Sequence, residues 1–281
     1  MKNKYIGNSL VPSIGLGTWE IGGRYEPDFS HDDQHIKTLQ YAIQLGLTHI
    51  DTAEMYGGGH TEELVGLAIQ GFPRSSLFIT SKVWGTHLRH NDLIKAVEKS
   101  LCRLKTNYID LCLIHYPNPE IPLAETLKAL NILTEQKVLK YIGVSNFNLE
   151  LLEEACKQSS VPIAASQIEY NLFQRNLGIY SQDIECEILP FCQKKQIALI
   201  AWRPLGKDKF SVLAENPLLK HLAEKYNRTP AQIALNWLIS QKNVFAIPKS
   251  VSPIHLKENH EAADFHLDSE DLASLSKNFP E

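Results

Sequence analysis

With 281 residues, 43% of them hydrophobic and 21% charged, the chain carries enough apolar material to bury a core without disulfides or structural metals. A formal net charge of −4 argues against a nucleic-acid-binding or membrane-surface protein, both of which usually carry a basic excess. No apolar run approaches the roughly 20 residues that cross a bilayer, and the lysine-bearing N-terminus lacks the apolar stretch of a signal peptide. The expected setting is therefore the cytoplasm, and the expected state a monomer. The five cysteines are an odd number and contain no C-x-x-C pair, which leaves no disulfide framework or zinc spacing. Cys102 and Cys112 are expected to be small buried hydrophobes.

In chain order, residues 1–12 read as a hairpin turned at Gly7-Asn8. A short strand, Ile14–Thr18, follows, then a helical pattern over Asp32–Leu45 that Gly46 ends. Further strands are predicted over Leu47–Asp51, Leu77–Lys82, Ile109–His115, Tyr141–Ser145, Ile163–Gln167, Ile197–Trp202 and Val244–Ile247, which makes eight in all. Helical spacing fills the intervals, as over Asn91–Leu104 and Thr229–Ile239, with Asn91, Asn148 and Thr229 as expected N-caps. A last helix is expected from Asp268 onward. Eight strand–helix repeats with nearly continuous apolar strands point to the α/β class. The specific expectation is a (β/α)8 TIM barrel with a short N-terminal β-hairpin and extra helices, as one domain over 1–281. A doubly wound sheet is the runner-up, but its G-x-G-x-x-G turn fails at the last glycine in Gly15-Leu16-Gly17-Thr18-Trp19-Glu20.

In such a barrel the C-terminal strand ends face the catalytic mouth. Asp51 ends the second strand, Lys82 the third and His115 the fourth, and Tyr56 lies five residues beyond Asp51. Any one strand-end Asp or Lys is more often a solvated loop residue or a structural ion pair, and a lone His after an apolar strand is more often a satisfied core group. Four of them on three adjacent strands suit proton donation to a carbonyl. A buried ammonium beside a phenol stabilises the phenolate and is expected to lower the Tyr56 pKa. Asp51 would keep Lys82 charged, and His115 would position the substrate oxygen.

At these residues the chain resembles the aldo-keto reductase family. The matching stretches run GLGTW (15–19), IDTAEMYG (50–57), SKVW (81–84), LIHYP (113–117), IGVSNF (142–147), QIEYN (167–171) and IPKS (247–250). The resemblance implies Asp51, Tyr56, Lys82 and His115 as the catalytic tetrad, with Tyr56 as general acid; from the lack of ligand spacing, no metal is expected. It also implies NADPH (NADP+ in the oxidised form) lying extended across the barrel mouth. Ser145, Asn146 and Gln167 would hold the nicotinamide carboxamide, and Trp202 would stack on its ring. The backbone of Arg203-Pro204-Leu205 and nearby Thr18 would line the pyrophosphate path. Lys249 and Ser250 would contact the 2′-phosphate, and Glu258 and Asn259 the adenine. Many relatives carry arginine where this chain has His255. A partly charged histidine there implies that NADPH is preferred by a smaller margin and that NADH is used less efficiently.

Trp19, Met55, Trp84 and Tyr116 flank the tetrad and cofactor positions and are expected to form an apolar, aromatic substrate pocket for a small-molecule carbonyl compound. The short connections at 116–122 and 203–210, and a chain that ends soon after Leu272, lead to the expectation of an open mouth and a broad substrate range. Two rival readings remain. One is a non-catalytic, cofactor-bound regulatory subunit of the same fold. The other is a metal-dependent barrel hydrolase, which would need an H-x-H at a strand end that the sequence lacks.

Overall fold

A computed structural model of the chain describes residues 2–177 and 182–279; Met1 at the head of the expected hairpin, and the residues beyond 279, lie outside that range. The hairpin is formed by β1 (Asn3–Ile6) and β2 (Ser9–Pro12), paired antiparallel. Its inward residues Ile6 and Val11 pack with Phe78, Leu111 and Phe245 inside the barrel, so it acts as the barrel floor.

The barrel strands are β3 (Leu16–Gly17), β4 (His49–Asp51), β5 (Phe78–Val83), β6 (Ile109–Ile114), β7 (Leu139–Ser145) and β8 (Ile163–Glu169). After a short pair, β9 (Asn176–Leu177) and β10 (Gln182–Asp183), come β11 (Ala198–Trp202) and β12 (Val244–Ala246). All eight barrel strands run parallel in the order β3-β4-β5-β6-β7-β8-β11-β12. Closure comes from a parallel bridge between Ile14 and Ala246, with Gly15 N–H donating to Ala246 O at 2.8 Å and Gly17 N–H to Pro248 O at 3.1 Å. The sheet therefore has no exposed edge along this seam. Every residue of β5 and β6 is buried, as expected for strands covered on both faces.

Gly15 and Gly17 have a barrel role that explains the failed dinucleotide fingerprint. A Cβ on Gly15 would stand 2.7 Å from His49 O, and one on Gly17 2.7 Å from Ile247 O. The glycines let the first strand fit between β4 and β12. Regular pairing in β3 spans two residues, shorter than the predicted Ile14–Thr18.

The outer layer comprises α1 (Asp32–Leu45), α2 (His60–Ala68), α3 (His90–Leu104), α4 (Leu123–Glu135), α5 (Leu149–Gln158) and α6 (Leu189–Lys195). It continues with α7 (Phe210–Glu215), α8 (Pro217–Tyr226), α9 (Pro230–Ser240), α10 (Pro253–Glu261) and α11 (Ser269–Asn278). Asn148 caps α5, Thr229 and Gln232 form a capping box on α9, and Asp268 caps the terminal helix. Gly46 closes α1 in the left-handed conformation. Two expectations fail on α3. The helix starts one residue early, and the Glu125 carboxylate from α4 accepts from His90 N–H, a role expected of a local cap, so Asn91 is not the N-cap. Cys102 is exposed, because α3 buries Leu93, Ala96, Val97, Ser100 and Leu104 on the opposite face; Cys112 is buried in β6 as expected. No helix among the described residues is long and apolar enough to cross a membrane.

The floor is fastened by Lys4, whose Nζ donates to the carbonyls of Ile239, Gln241 and Val244 at 2.7, 2.6 and 2.8 Å. These oxygens lie at the C-terminal end of α9 and the start of β12, where helix carbonyls lack intrahelical partners. Lys4→Met keeps the stem and removes the donors. It is expected to cost about 1–3 kcal/mol in urea denaturation, whereas a variant as stable as wild type would show that the hairpin is held by Ile6 and Val11 alone.

Candidate active site

The C-terminal ends of β4 and β5 bring Asp51 and Lys82 together. Lys82 Nζ donates to Asp51 Oδ1 at 2.5 Å, Thr52 O at 2.9 Å and Tyr56 Oη at 3.0 Å, so all three ammonium protons have acceptors. The Lys82 side chain is fully buried, and Asp51 nearly so. The other Asp51 oxygen accepts from Gln167 Nε2 at 2.7 Å, and its carbonyl accepts from Thr18 Oγ1 at 2.8 Å. Tyr56 opens a single 3-10 turn over residues 56–59, and Gly57, Gly58 and Gly59 all take positive φ. A Cβ on Gly57 would stand 2.5 Å from Gly22 O, so the chain can leave the ring at this angle only without one.

His115 follows β6 directly and packs edge-on against the Tyr56 ring, centroids 5.8 Å apart. Asn146 joins three strand ends. It sits at φ +62, a conformation that Asn tolerates better than most residues, with Nδ2 donating to His115 O and Ser145 Oγ, both at 3.0 Å. Its Oδ1 accepts from Trp202 Nε1 at 3.2 Å.

The electrostatics follow from burial and this one cation. Burial works against the Lys82 charge, but Asp51 and the Tyr56 oxygen outweigh it and hold the ammonium above its ordinary range. Burial and the Lys82 charge hold the His115 imidazole down at about 2, so it is neutral. The expectation for Tyr56 is reversed. Desolvation pushes the phenol up, and Lys82 opposes that shift without overcoming it, so the net direction is upward. The charge partner was legible in the sequence; the desolvation that outweighs it was not.

A cavity of about 730 Å³ opens at this end of the barrel. Asp51, Tyr56 and His115 line it, as do Trp19, Met55, Trp84 and Tyr116. The same wall continues through Ser145, Asn146, Gln167, Trp202, Arg203, Pro204 and Leu205 to Lys249, Ser250, His255, Glu258 and Asn259. Lys82 and Thr18 do not reach it: Lys82 lies beneath, with its Nζ on the Tyr56 hydroxyl, and Thr18 is wholly buried with its hydroxyl on Asp51 O. The cavity also takes in residues with no motif to announce them, among them Glu20, Arg24 and Tyr25 from the loop after β3, and Lys207 and Phe210 after β11. Lys207 Nζ donates to Glu20 Oε1 at 3.0 Å across the mouth. His255 Nδ1 lies 2.9 Å from Glu258 Oε2. No group of three or more His, Cys, Asp or Glu side chains among the described residues is placed to hold a metal ion.

A closed parallel barrel with its cavity at the C-terminal strand ends, over a buried lysine–aspartate pair, has the architecture of a (β/α)8-barrel enzyme. The model of the aldo/keto reductase family matches residues 13–278, and the chain belongs to that family. Among similar proteins, methylglyoxal reductase YeaE of Escherichia coli (strain K12) is 34% identical over 281 residues, covering 99% of this chain and 94% of its own. The crystal structure of the thermostable aldo-keto reductase Tm1743, solved with the inhibitor epalrestat, superposes with a TM-score of 0.93 at 46% identity and covers 100% of both chains. An aldo-keto reductase from Klebsiella pneumoniae, solved with NADPH, superposes with a TM-score of 0.89 at 34% identity and covers 100% of this chain and 96% of its own.

A buried pair behaves differently when one partner goes than when both do. Lys82→Met leaves the Asp51 carboxylate buried without its cation and is expected to cost about 3–5 kcal/mol. Adding Asp51→Asn removes that charge, and the double variant is expected to recover more than half of the loss in urea denaturation. A double variant no more stable than Lys82→Met would show that the cost lies in packing rather than in an unpaired charge.

Proposed function

We propose that the protein reduces aldehydes and ketones to alcohols with NADPH, and that Tyr56 gives the proton. The observation that carries this reading is the Lys82 ammonium, bonded at once to Asp51 and to the Tyr56 hydroxyl at the wall of the cavity. Membership of the aldo/keto reductase family supports it, as do the reductase activity named for the E. coli relative and the NADPH held by the Klebsiella structure.

The donor set along the cavity fits such a cofactor. One end offers Ser145 and Asn146, together with Gln167, whose amide nitrogen is spent on Asp51 and whose oxygen remains an acceptor for a carboxamide. Trp202 offers an indole face beside them. The other end offers the cations Lys207 and Lys249 with the Ser250 hydroxyl, which suits phosphates. When bound, NADPH supplies the hydride that the carbonyl carbon accepts.

The chain's own residues supply the rest. Tyr56 Oη, kept protonated at neutral pH by desolvation, donates to the carbonyl oxygen as negative charge develops there. Lys82 at 3.0 Å stabilises the phenolate left behind, which lowers the barrier without deprotonating the resting phenol. Asp51 holds that ammonium in place, and Gln167 and Thr18 hold Asp51. Neutral His115 offers an N–H to the substrate oxygen without competing as an acid.

Tyr56→Phe is expected to cut kcat/KM for an aromatic aldehyde by about 10²–10⁴ while NADPH binding, followed by nucleotide fluorescence, stays nearly intact. Turnover within about tenfold of wild type would assign the proton to another group. An absence of NADPH oxidation by wild type across a carbonyl panel would leave a cofactor-bound regulatory protein as the better reading.

His255 and its Glu258 partner generate a second test. The Glu258 carboxylate adds negative charge next to the expected 2′-phosphate position, so the preference for NADPH over NADH is expected to be narrow. His255→Arg is expected to widen the ratio of kcat/KM values about tenfold, the size of one charge-assisted contact. An unchanged ratio would remove His255 from the discrimination.

A further inference from the structure

Two guanidiniums at the cavity mouth keep most of their donors unspent. Arg203 follows Trp202 in left-handed backbone, φ +48, a shape that L side chains rarely adopt. Its carbonyl accepts from Gly206 N–H at 2.8 Å and Asn171 Nδ2 at 3.0 Å, which locks the backbone in that form. The guanidinium lies 5.1 Å from the centre of the Trp202 ring. It forms a long ion pair with the Glu169 carboxylate, 3.8 Å at nearest approach, and Glu169 is not part of the cavity wall. Arg24 stands over the Tyr25 ring at 5.4 Å and reaches Glu20 only at 4.0 Å. That same Glu20 oxygen already accepts from Lys207.

Each arginine ends an aromatic path that starts at the tetrad. Trp19 packs edge-on against Tyr56 at 4.7 Å and against Tyr25 at 5.4 Å, and Arg24 lies beyond. In the same cavity Tyr116 stacks on His115 at 5.4 Å; burial pushes the Tyr116 phenol up, and the Arg203 charge opposes it. A ligand whose oxygen meets Tyr56 and His115 would thus run between apolar rings toward two positive forks, each only loosely paired with a carboxylate.

We propose that Arg203 and Arg24 form an anion subsite, and that the carbonyl compounds this protein reduces best carry a carboxylate on an apolar stem. The inference rests on the carbonyl-reductase reading and names the substrate class for that site. A planar carboxylate matches the planar donor pair of either arginine, and the expected cofactor path uses only the Arg203 backbone.

The test compares 4-formylbenzoate with 4-nitrobenzaldehyde, two flat aldehydes of similar size that differ in charge. The ratio of their kcat/KM values is the readout, so changes common to both substrates cancel. Arg203→Met and Arg24→Met keep the apolar stems, and each is expected to lower the ratio about tenfold; Arg203→Lys, which keeps the charge but loses the fork, falls between. The wild-type ratio is expected to shrink as salt is raised from 0.05 to about 0.5 M. Ratios that neither methionine variant changes would overturn the subsite. If wild type turns over neither aldehyde, the reductase reading fails separately. The subsite is then decided by titrating 4-formylbenzoate against tryptophan fluorescence: a Kd about tenfold weaker in the variants supports it, and equal Kd values overturn it.

Discussion

An ammonium without access to water is stable in a folded chain only when its charge has a counter-ion and each of its protons an acceptor. Lys82 meets both conditions, and much of the barrel mouth is arranged around the way it does so. Asp51 can be the counter-ion because β4 and β5 are adjacent and in register, with Asp51 opposite Thr80, two residues before Lys82 on the same face. Asp51 in turn needs donors, and these arrive from β8 through Gln167 and from the loop after β3 through Thr18. The third proton falls to Tyr56, so one satisfied cation sets the position of the phenol as well as its electrostatics.

His49 shows how the arrangement avoids a competing cation. It lies two residues before Asp51 on the same strand, wholly buried between the rings of Phe78 and Phe245. Burial holds its imidazole at about 4, against the opposing pull of Asp51. At neutral pH Lys82 is therefore the one cationic partner of the Asp51 carboxylate among the described residues. Below this level the barrel is filled by aliphatic and aromatic side chains over the hairpin floor, so stability and chemistry occupy opposite ends of one cylinder.

The eight strands were legible because parallel barrel strands are covered on both faces and read as unbroken apolar runs, as in β5 and β6. Asp51, Lys82 and His115 stood out for the same reason, since a polar residue at the end of such a run is conspicuous, and the structure gathers them with Tyr56 at one rim. Tertiary partners were not legible. Asn91 looked like a helix cap because it is a cap residue in a plausible place, yet a glutamate from the next helix supplies the acceptor. The Gly15-Leu16-Gly17 pair resembled half of a phosphate-binding turn, whereas the structure uses it to close the barrel seam. Arg24, Tyr25 and Lys207 belong to loops whose path no periodicity encodes, so their presence in the cavity wall needed coordinates.

The upward direction of the Tyr56 pKa changes how the site is understood. A proton donor must hold its proton until charge appears on the acceptor, and a phenol already brought near neutrality would be partly spent at rest. Desolvation pushes the Tyr56 phenol up, while Lys82, one hydrogen bond away, favours the state in which the proton has gone. In the proposed reaction the two effects would act on opposite ends of the transfer: burial would secure the reactant and the ammonium would stabilise the product. Lys82 is itself closed off from the cavity, so a ligand there does not meet its charge directly. The variable chemistry is left to the loop residues around the mouth, which can change without disturbing the ion pair beneath.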